Sequence, residues 1–177
     1  MFVLNHHPSI ANQYLAELRD INKQKDRLRF RRNLERLGEI MAYEISKEMD
    51  FQSSTVPTPL QQTHVDLISK QPVVISLLRA AIPFFQGVIN YFDQADCGFI
   101  GVYRKELSKE NSEVEVEFSY MAAPDILGKE IILVDPMLAT GKSFIKGLNN
   151  LLKNGLPSMV HVVSVIAAPE GVKYIQD

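Results

Sequence analysis

The stretch Thr140-Gly141-Lys142-Ser143, following an apolar run that ends in Asp135, has the residue types to hold a phosphate. Gly141-Lys142-Ser143 also closes the loop that ATP- and GTP-binding proteins wrap around their phosphates. That loop needs a second glycine five positions earlier, where amides turn around the ligand through positive backbone angles. Pro136 stands at that position here. Proline has no amide hydrogen and a fixed negative φ, so it neither donates to phosphate nor turns as glycine does. The string therefore argues against a kinase or nucleotide hydrolase. What remains is a strand ending in an acid, a tight loop and the start of a helix. Free amides there, the helix dipole and the hydroxyls of Thr140 and Ser143 make a place for one phosphate group. Asp135, at the carboxyl end of its strand, is placed to accept hydrogen bonds from sugar hydroxyls. Acid and amides together suit a sugar phosphate, and the plain alternative is a capped strand-to-helix turn with no ligand.

Such a site needs a rigid frame, and the rest of the sequence predicts one. Residues 72 to 78, 97 to 103, 131 to 135 and 160 to 166 are short apolar runs, as expected of strands in a parallel sheet covered on both faces. Helical stretches alternate with them. One begins near Ile82, with Pro83 in its first turn, and the other runs from Ser143, with Ile145, Leu148, Leu151 and Leu152 as its stripe and Gly155 and Pro157 beyond its end. The first fifty residues read as helical, with Leu34, Leu37, Met41 and Ile45 on one inward face. Residues 50 to 66, rich in Ser, Thr and Pro, read as a loop or edge arm. In 112 to 120, Val114, Val116 and Phe118 alternate with Glu113, Glu115 and Glu117, which predicts an antiparallel edge or β-arm with one wet face. The expected fold is α/β: a doubly wound parallel sheet flanked by helices, with an N-terminal helical arm and a β-arm. A chain of 177 residues supports one domain, 1–177.

Composition narrows the partners. The formal charge of -2 gives no global attraction to nucleic acid or to an anionic membrane. No apolar run has a bilayer-spanning length and the first ten residues lack signal-peptide features, so the expected address is cytoplasmic. The single cysteine, Cys97, lies in an apolar run and is expected in the core. His6 and His7 are adjacent and share no face, so no metal-ligand set is assigned to this chain. His64 and His161 have no partner visible in the sequence and receive no role, and the catalytic residue stays unknown. Phe84, Phe85, Tyr91 and Phe92 have helical spacing and are expected in a core or subunit interface.

The string "ILVDPMLATGKS" resembles the ribose-phosphate motif of uracil phosphoribosyltransferases, which carry Asp-Pro where most other phosphoribosyltransferases carry two acids. "LLRAAIPFFQG", "GVYRKE", "AAPEGV" and "RFRRNLERLGEIMAYE" resemble further segments of that family, so the likeness runs from about residue 20 to the end. It implies transfer of ribose 5-phosphate from phosphoribosyl pyrophosphate to uracil, giving UMP and pyrophosphate in pyrimidine salvage, with Mg2+. The residues implied to bind phosphoribosyl pyrophosphate are Arg79, Arg104, Asp135, Pro136, Met137, Leu138, Ala139, Thr140, Gly141, Lys142 and Ser143. Arg79 and Arg104 follow apolar runs and are expected just past strand ends, where planar guanidinium forks could meet pyrophosphate.

The same resemblance implies a homodimer or larger assembly and leaves GTP as a candidate effector. Lys142 stands where the family usually has glycine and is expected to point outward. The family's later uracil-recognition segment, with a Gly-Asp-Ala motif, is expected to be lacking from this sequence. The rival reading is a nucleotide-sensing, RNA-binding regulator on a phosphoribosyltransferase-like scaffold. It rests on the run Lys23, Lys25, Arg27, Arg29, Arg31, Arg32 and Arg36. Asp26 and Glu35 interrupt that run, so a solvated helix face or subunit contact is the reading preferred over nucleic acid.

Overall fold

The computed structural model describes residues 1–105 and 115–176, and side chains of 103–105 and 115–117 lie outside the description. Its centre is a sheet of five strands: β3 (Val73–Leu78), β4 (Asp96–Lys105), β5 (Glu115–Ala122), β6 (Glu130–Val134) and β8 (Met159–Val163). Their order is β5-β4-β3-β6-β8. Only the β4–β5 pairing is antiparallel, and the other neighbours run parallel. Helices α3 (Ile82–Ile89) and α4 (Lys142–Leu151) supply the crossovers from β3 to β4 and from β6 to β8.

Strand parity explains why the runs are almost wholly apolar. Val74, Ile132, Val134 and Val163 turn to one face, where they join Leu34, Leu37, Phe84, Phe85 and Val88. Val73, Ile75, Leu77, Ile131 and Leu133 turn to the other, against Phe144 and Leu151 of α4. A strand buried on both faces has no wet positions to alternate with. The first face is covered by α1 (Ile10–Arg19), α2 (Arg27–Ser46) and α3, and the N-terminal helical region is therefore two helices. Asp26 starts the second of them by accepting from the amides of Leu28 and Arg29 at 3.1 and 3.0 Å. Leu34 and Leu37 are buried, with Met41 and Ile45 packed beside them, as their spacing predicts.

Residues 50 to 66 prove more ordered than a loop. Hairpin β1 (Phe51–Pro57) and β2 (Gln62–Ile68) pairs with itself alone among the described residues. Pro57 ends the first strand, and the turn closes through the Thr58 amide and the Gln61 carbonyl, 3.1 Å apart. The run at 160 to 166 is interrupted: β8 ends at Val163, and β9 (Ile166–Ala167) pairs with β7 (Met137–Leu138). The edge strand expected from residues 112 to 120 is β5, though Ser112, Glu113 and Val114 lie outside the described residues.

Cys97 is exposed, contrary to its expected place in the core. It is only the second residue of β4, so the apolar run around it begins before the helical layer covers the strand. Partial desolvation, and then the negative charge of Asp96, hold its thiol pKa above the usual value. Phe84, Phe85 and Phe92 are buried as expected, whereas Tyr91 is exposed.

Candidate active site

Chain order reverses between β3 and β6. From β3 the chain crosses to β4 on one side, and β6 later returns to the other side. The crevice at the carboxyl ends of two such strands cannot be covered by either crossover, and α/β sheets bind ligands there. Ser76 stands opposite Val134, so Asp135 leaves β6 at the level where β3 reaches Leu77. Arg79 follows the last residue of β3 and is exposed, in the short turn that leads to α3. Two of the residues singled out from the sequence are thus brought to one crevice from positions 56 apart in number.

Arg104 is placed differently from expectation. It lies inside β4 instead of after it, because β4 continues to Lys105 by pairing with β5. Gly101 is opposite Leu78, the last residue of β3, and Arg104 is three residues further out on the two-stranded ribbon. The apolar run ends at position 103, two residues past the level where β3 ends, and the backbone ladder with β5 carries the strand on to Lys105.

The loop after β6 is tied from behind. The Asp135 amide donates to the Val163 carbonyl at 3.2 Å, and the amides of Val165 and Ile166 donate to the Pro136 carbonyl at 3.2 and 3.1 Å. Pro136 lacks a donor, but its carbonyl does the anchoring. The Met137 amide donates to Asp135 Oδ1 at 3.3 Å, which orients the carboxylate. Leu138 is buried, Thr140 and Lys142 are exposed, and Ser143 is half-buried.

Gly141 ends the loop and caps α4 with φ 79°, a left-handed backbone that favours glycine. The Ile145 amide donates to the Gly141 carbonyl at 3.0 Å, closing the first helical turn. Amides of Lys142, Ser143 and Phe144 consequently have no intrahelical acceptor and form the positive end of the helix. Lys142 adds an exposed cation at its first position, consistent with an outward lysine.

Cavities of about 420 and 750 Å³ lie elsewhere, beside β8 and the first residues of the chain, and neither includes Arg79, Asp135 or Thr140. The crevice at the strand ends is open to solvent and carries the polar groups, with Arg79 and Thr140 exposed. His161 has a partner that the sequence did not reveal: its Nε2 lies 3.3 Å from Glu130 Oε2 on the neighbouring strand. His64 Nδ1 lies 3.3 Å from Thr55 Oγ1 across the hairpin. Both are cross-strand contacts, visible only once register is known. In the basic run, Arg29 pairs with Glu17 at 3.4 Å, Arg32 with Glu35 at 2.8 Å, and Arg36 lies over the Tyr14 ring at 5.0 Å. Three of its seven cations are therefore engaged by ion pairs or a ring contact with other described residues.

Comparison with known proteins agrees with this geometry. The family model described as uracil phosphoribosyltransferase matches residues 4–177. A uracil phosphoribosyltransferase of Porphyromonas gingivalis is 45% identical over 168 residues, covering 95% of this chain and 77% of that protein. One from Pyrococcus furiosus is 39% identical, covering 93% and 70%. Among solved structures, the AQ2163 protein from Aquifex aeolicus superposes with a TM-score of 0.82 at 29% identity, covering 96% of this chain and 78% of that one. A purine phosphoribosyltransferase from Pyrococcus horikoshii, at TM-score 0.54 and 14% identity over 78% of this chain and 75% of that one, shares the fold. None of these matches supports the RNA-binding regulator. With an acid and a helix start at the switch point, and a family model spanning nearly its whole length, the chain belongs to the uracil phosphoribosyltransferase family.

Proposed function

We propose that the crevice between β3 and β6 is where this uracil phosphoribosyltransferase binds phosphoribosyl pyrophosphate. The reaction joins uracil to the sugar's C1 as the bond from C1 to pyrophosphate breaks, giving UMP and pyrophosphate for pyrimidine salvage. The 5-phosphate lies on the loop from Pro136 to Ser143, against the amides that open α4. Asp135 accepts from the ribose hydroxyls. The observation that carries the reading is the left-handed Gly141 opening a helix beside Asp135, at the point where strand order reverses.

The chemistry asks for orientation and fixed positive charge. Breaking the bond leaves an electron-poor sugar carbon and sends the bonding pair to a leaving group that already carries several negative charges. Arg79 supplies a planar cation at the mouth of the crevice, and Arg104, on the β4–β5 ribbon, a second. Arg79 has no ion pair among the described residues, so its charge is available to an anion. Holding the ribose at both its diol and its 5-phosphate fixes C1 relative to the incoming base.

Mg2+ suits this donor set. Magnesium binds through one or two carboxylates together with substrate phosphates, keeping several waters. Among the described residues no group of three His, Cys, Asp or Glu could hold a metal by itself. Asp135 is the carboxylate that would face the ion at the sugar end, with substrate oxygens and waters supplying its other ligands. Bound there, the ion would neutralise charge on the departing pyrophosphate.

The proposal extends to a homo-oligomer in the cytoplasm. No described helix is long and apolar enough to cross a membrane. Hairpin β1–β2 exposes Phe51, Val65 and Leu67 and pairs with no other strand among the described residues. Two strands alone are marginal in water, and a second copy would cover them. GTP is retained as a candidate effector of that assembly. UMP formation from uracil, phosphoribosyl pyrophosphate and Mg2+ tests the activity. Absence of product from folded protein would refute it.

A further inference from the structure

We infer that α5 (Pro169–Gln176) is a strut that sets the shape of the phosphate loop, with Gly171 and Tyr174 as positioning residues acting through Ala139 and Gly141. This deepens the proposed reading of the loop and rests on it. The link from β9 into α5 is already tied to the loop: the Ala168 amide donates to the Leu138 carbonyl at 2.8 Å, and the Gly171 amide to the Ala168 carbonyl at 3.1 Å. Gly171 is buried. A Cβ built there would collide with the carbonyl oxygen of Ala139, lie 3.0 Å from its carbonyl carbon and 3.2 Å from Leu138 Cδ1. The contact is reciprocal. A Cβ on Gly141 would lie 2.9 Å from Tyr174 Cδ1, 3.2 Å from the Gly171 carbonyl oxygen and 3.4 Å from Ile175 Cγ1.

Loop residues Ala139 and Gly141 are thus both backed by one helix, and between Gly171 and Ala139 the approach is to backbone. Backbone contacts cannot yield by a rotamer change, so any bulk at 171 moves the loop itself. Gly141 faces the strut while Thr140, its neighbour, stays exposed. Gly171 and Tyr174 meet the loop at Ala139 and Gly141, and each acts through the loop that it supports. The "AAPEGV" segment owes its glycine to this packing, since 171 has an ordinary helical place that alanine would otherwise fill better.

The test uses Gly171→Ala, Tyr174→Ala and Tyr174→Phe in the full chain. Steady-state kinetics are combined with calorimetric binding of ribose 5-phosphate, which needs no turnover. Gly171→Ala should raise KM for phosphoribosyl pyrophosphate and the ribose 5-phosphate Kd each about tenfold, with kcat changed far less, because displacement of a binding loop weakens grip first. Tyr174→Ala should move both in the same direction, by about threefold. Tyr174→Phe keeps the ring edge on Gly141 and should restore wild-type values. If folded Gly171→Ala and Tyr174→Ala bind ribose 5-phosphate as the wild type does, the strut is refuted while the phosphate site stands. A fall in kcat alone would also refute it. If the wild type itself fails to bind ribose 5-phosphate, the phosphate reading falls, and the strut falls with it. Should Gly171→Ala not fold, the two Tyr174 variants decide the matter.

Discussion

Gly38 of α2 and Gly87 of α3 meet backbone to backbone. A Cβ on Gly38 would lie 3.0 Å from the Gly87 α-carbon and 3.1 Å from the Val88 amide nitrogen, and would collide with the Phe84 carbonyl oxygen. One on Gly87 would collide with the Glu35 carbonyl. The absence of side chains lets α3 approach α2 closely, and Phe84, Phe85 and Val88 are buried in the same core. Gly87→Ala gains helix propensity yet should destabilise the fold, because overpacking of this kind costs about 1–3 kcal/mol. Urea unfolding checks this, and an unchanged midpoint would show that the helices can part cheaply.

Asp135→Asn isolates the charge from the shape. The amide oxygen can still accept from the Met137 amide, now 3.3 Å from Oδ1, so the loop should keep its course. Hydrogen bonds to the ribose hydroxyls lose their charge assistance, and kcat/KM should fall about thirtyfold, equivalent to roughly 2 kcal/mol. Unchanged kinetics would remove Asp135 from the site.

Arg79 is exposed and has no ion pair among the described residues, so replacing it should leave stability within about 0.5 kcal/mol. Activity is a different matter. Arg79→Lys keeps the charge but loses the fork, and kcat/KM should drop about tenfold, with a larger loss for Arg79→Ala. Equal kinetics for Arg79→Ala and the wild type would place pyrophosphate elsewhere.

Cys97 is exposed but should react slowly. Its raised pKa, caused first by partial desolvation and then by Asp96, lowers the thiolate fraction at any pH below that pKa. Alkylation by iodoacetamide at pH 8 should be slower than for a free cysteine, and Asp96→Asn should accelerate it by about twofold. A rate equal to that of free cysteine would show an ordinary thiol.

Asp26 caps α2 with one carboxylate oxygen accepting from two amides, those of Leu28 and Arg29. Asp26→Ala should cost about 1 kcal/mol. Thermal or urea unfolding reads the loss directly, and binding of substrate should not change, because the capped amides belong to α2 itself.

Much of this architecture was legible before any coordinates. Four apolar runs became strands, Pro83 marked the start of α3, and Leu34, Leu37, Met41 and Ile45 marked the inward stripe of α2. Each is a local signal, set by periodicity or by the fixed φ of proline. The turn that opens α4 was legible for the same reason, since Asp135 to Ser143 is one continuous stretch whose glycine and proline positions constrain its backbone. Cys97 misled because an apolar run does not say where its covering helices begin. Arg104 misled because pairing with β5, which no local pattern measures, carried β4 past the end of its apolar run.

The sequence by itself determined most element types, the parity that gives β3 and β6 two dry faces, and the glycine at 141 that opens α4. Strand order, the crevice that joins Arg79 to Asp135, the cross-strand pair of His161 with Glu130, and the packing of α5 against the loop were decided only by tertiary structure. Local preferences act over a few residues of chain. Which strands become neighbours depends on how apolar faces are buried together across the whole fold, and that choice places distant residues side by side.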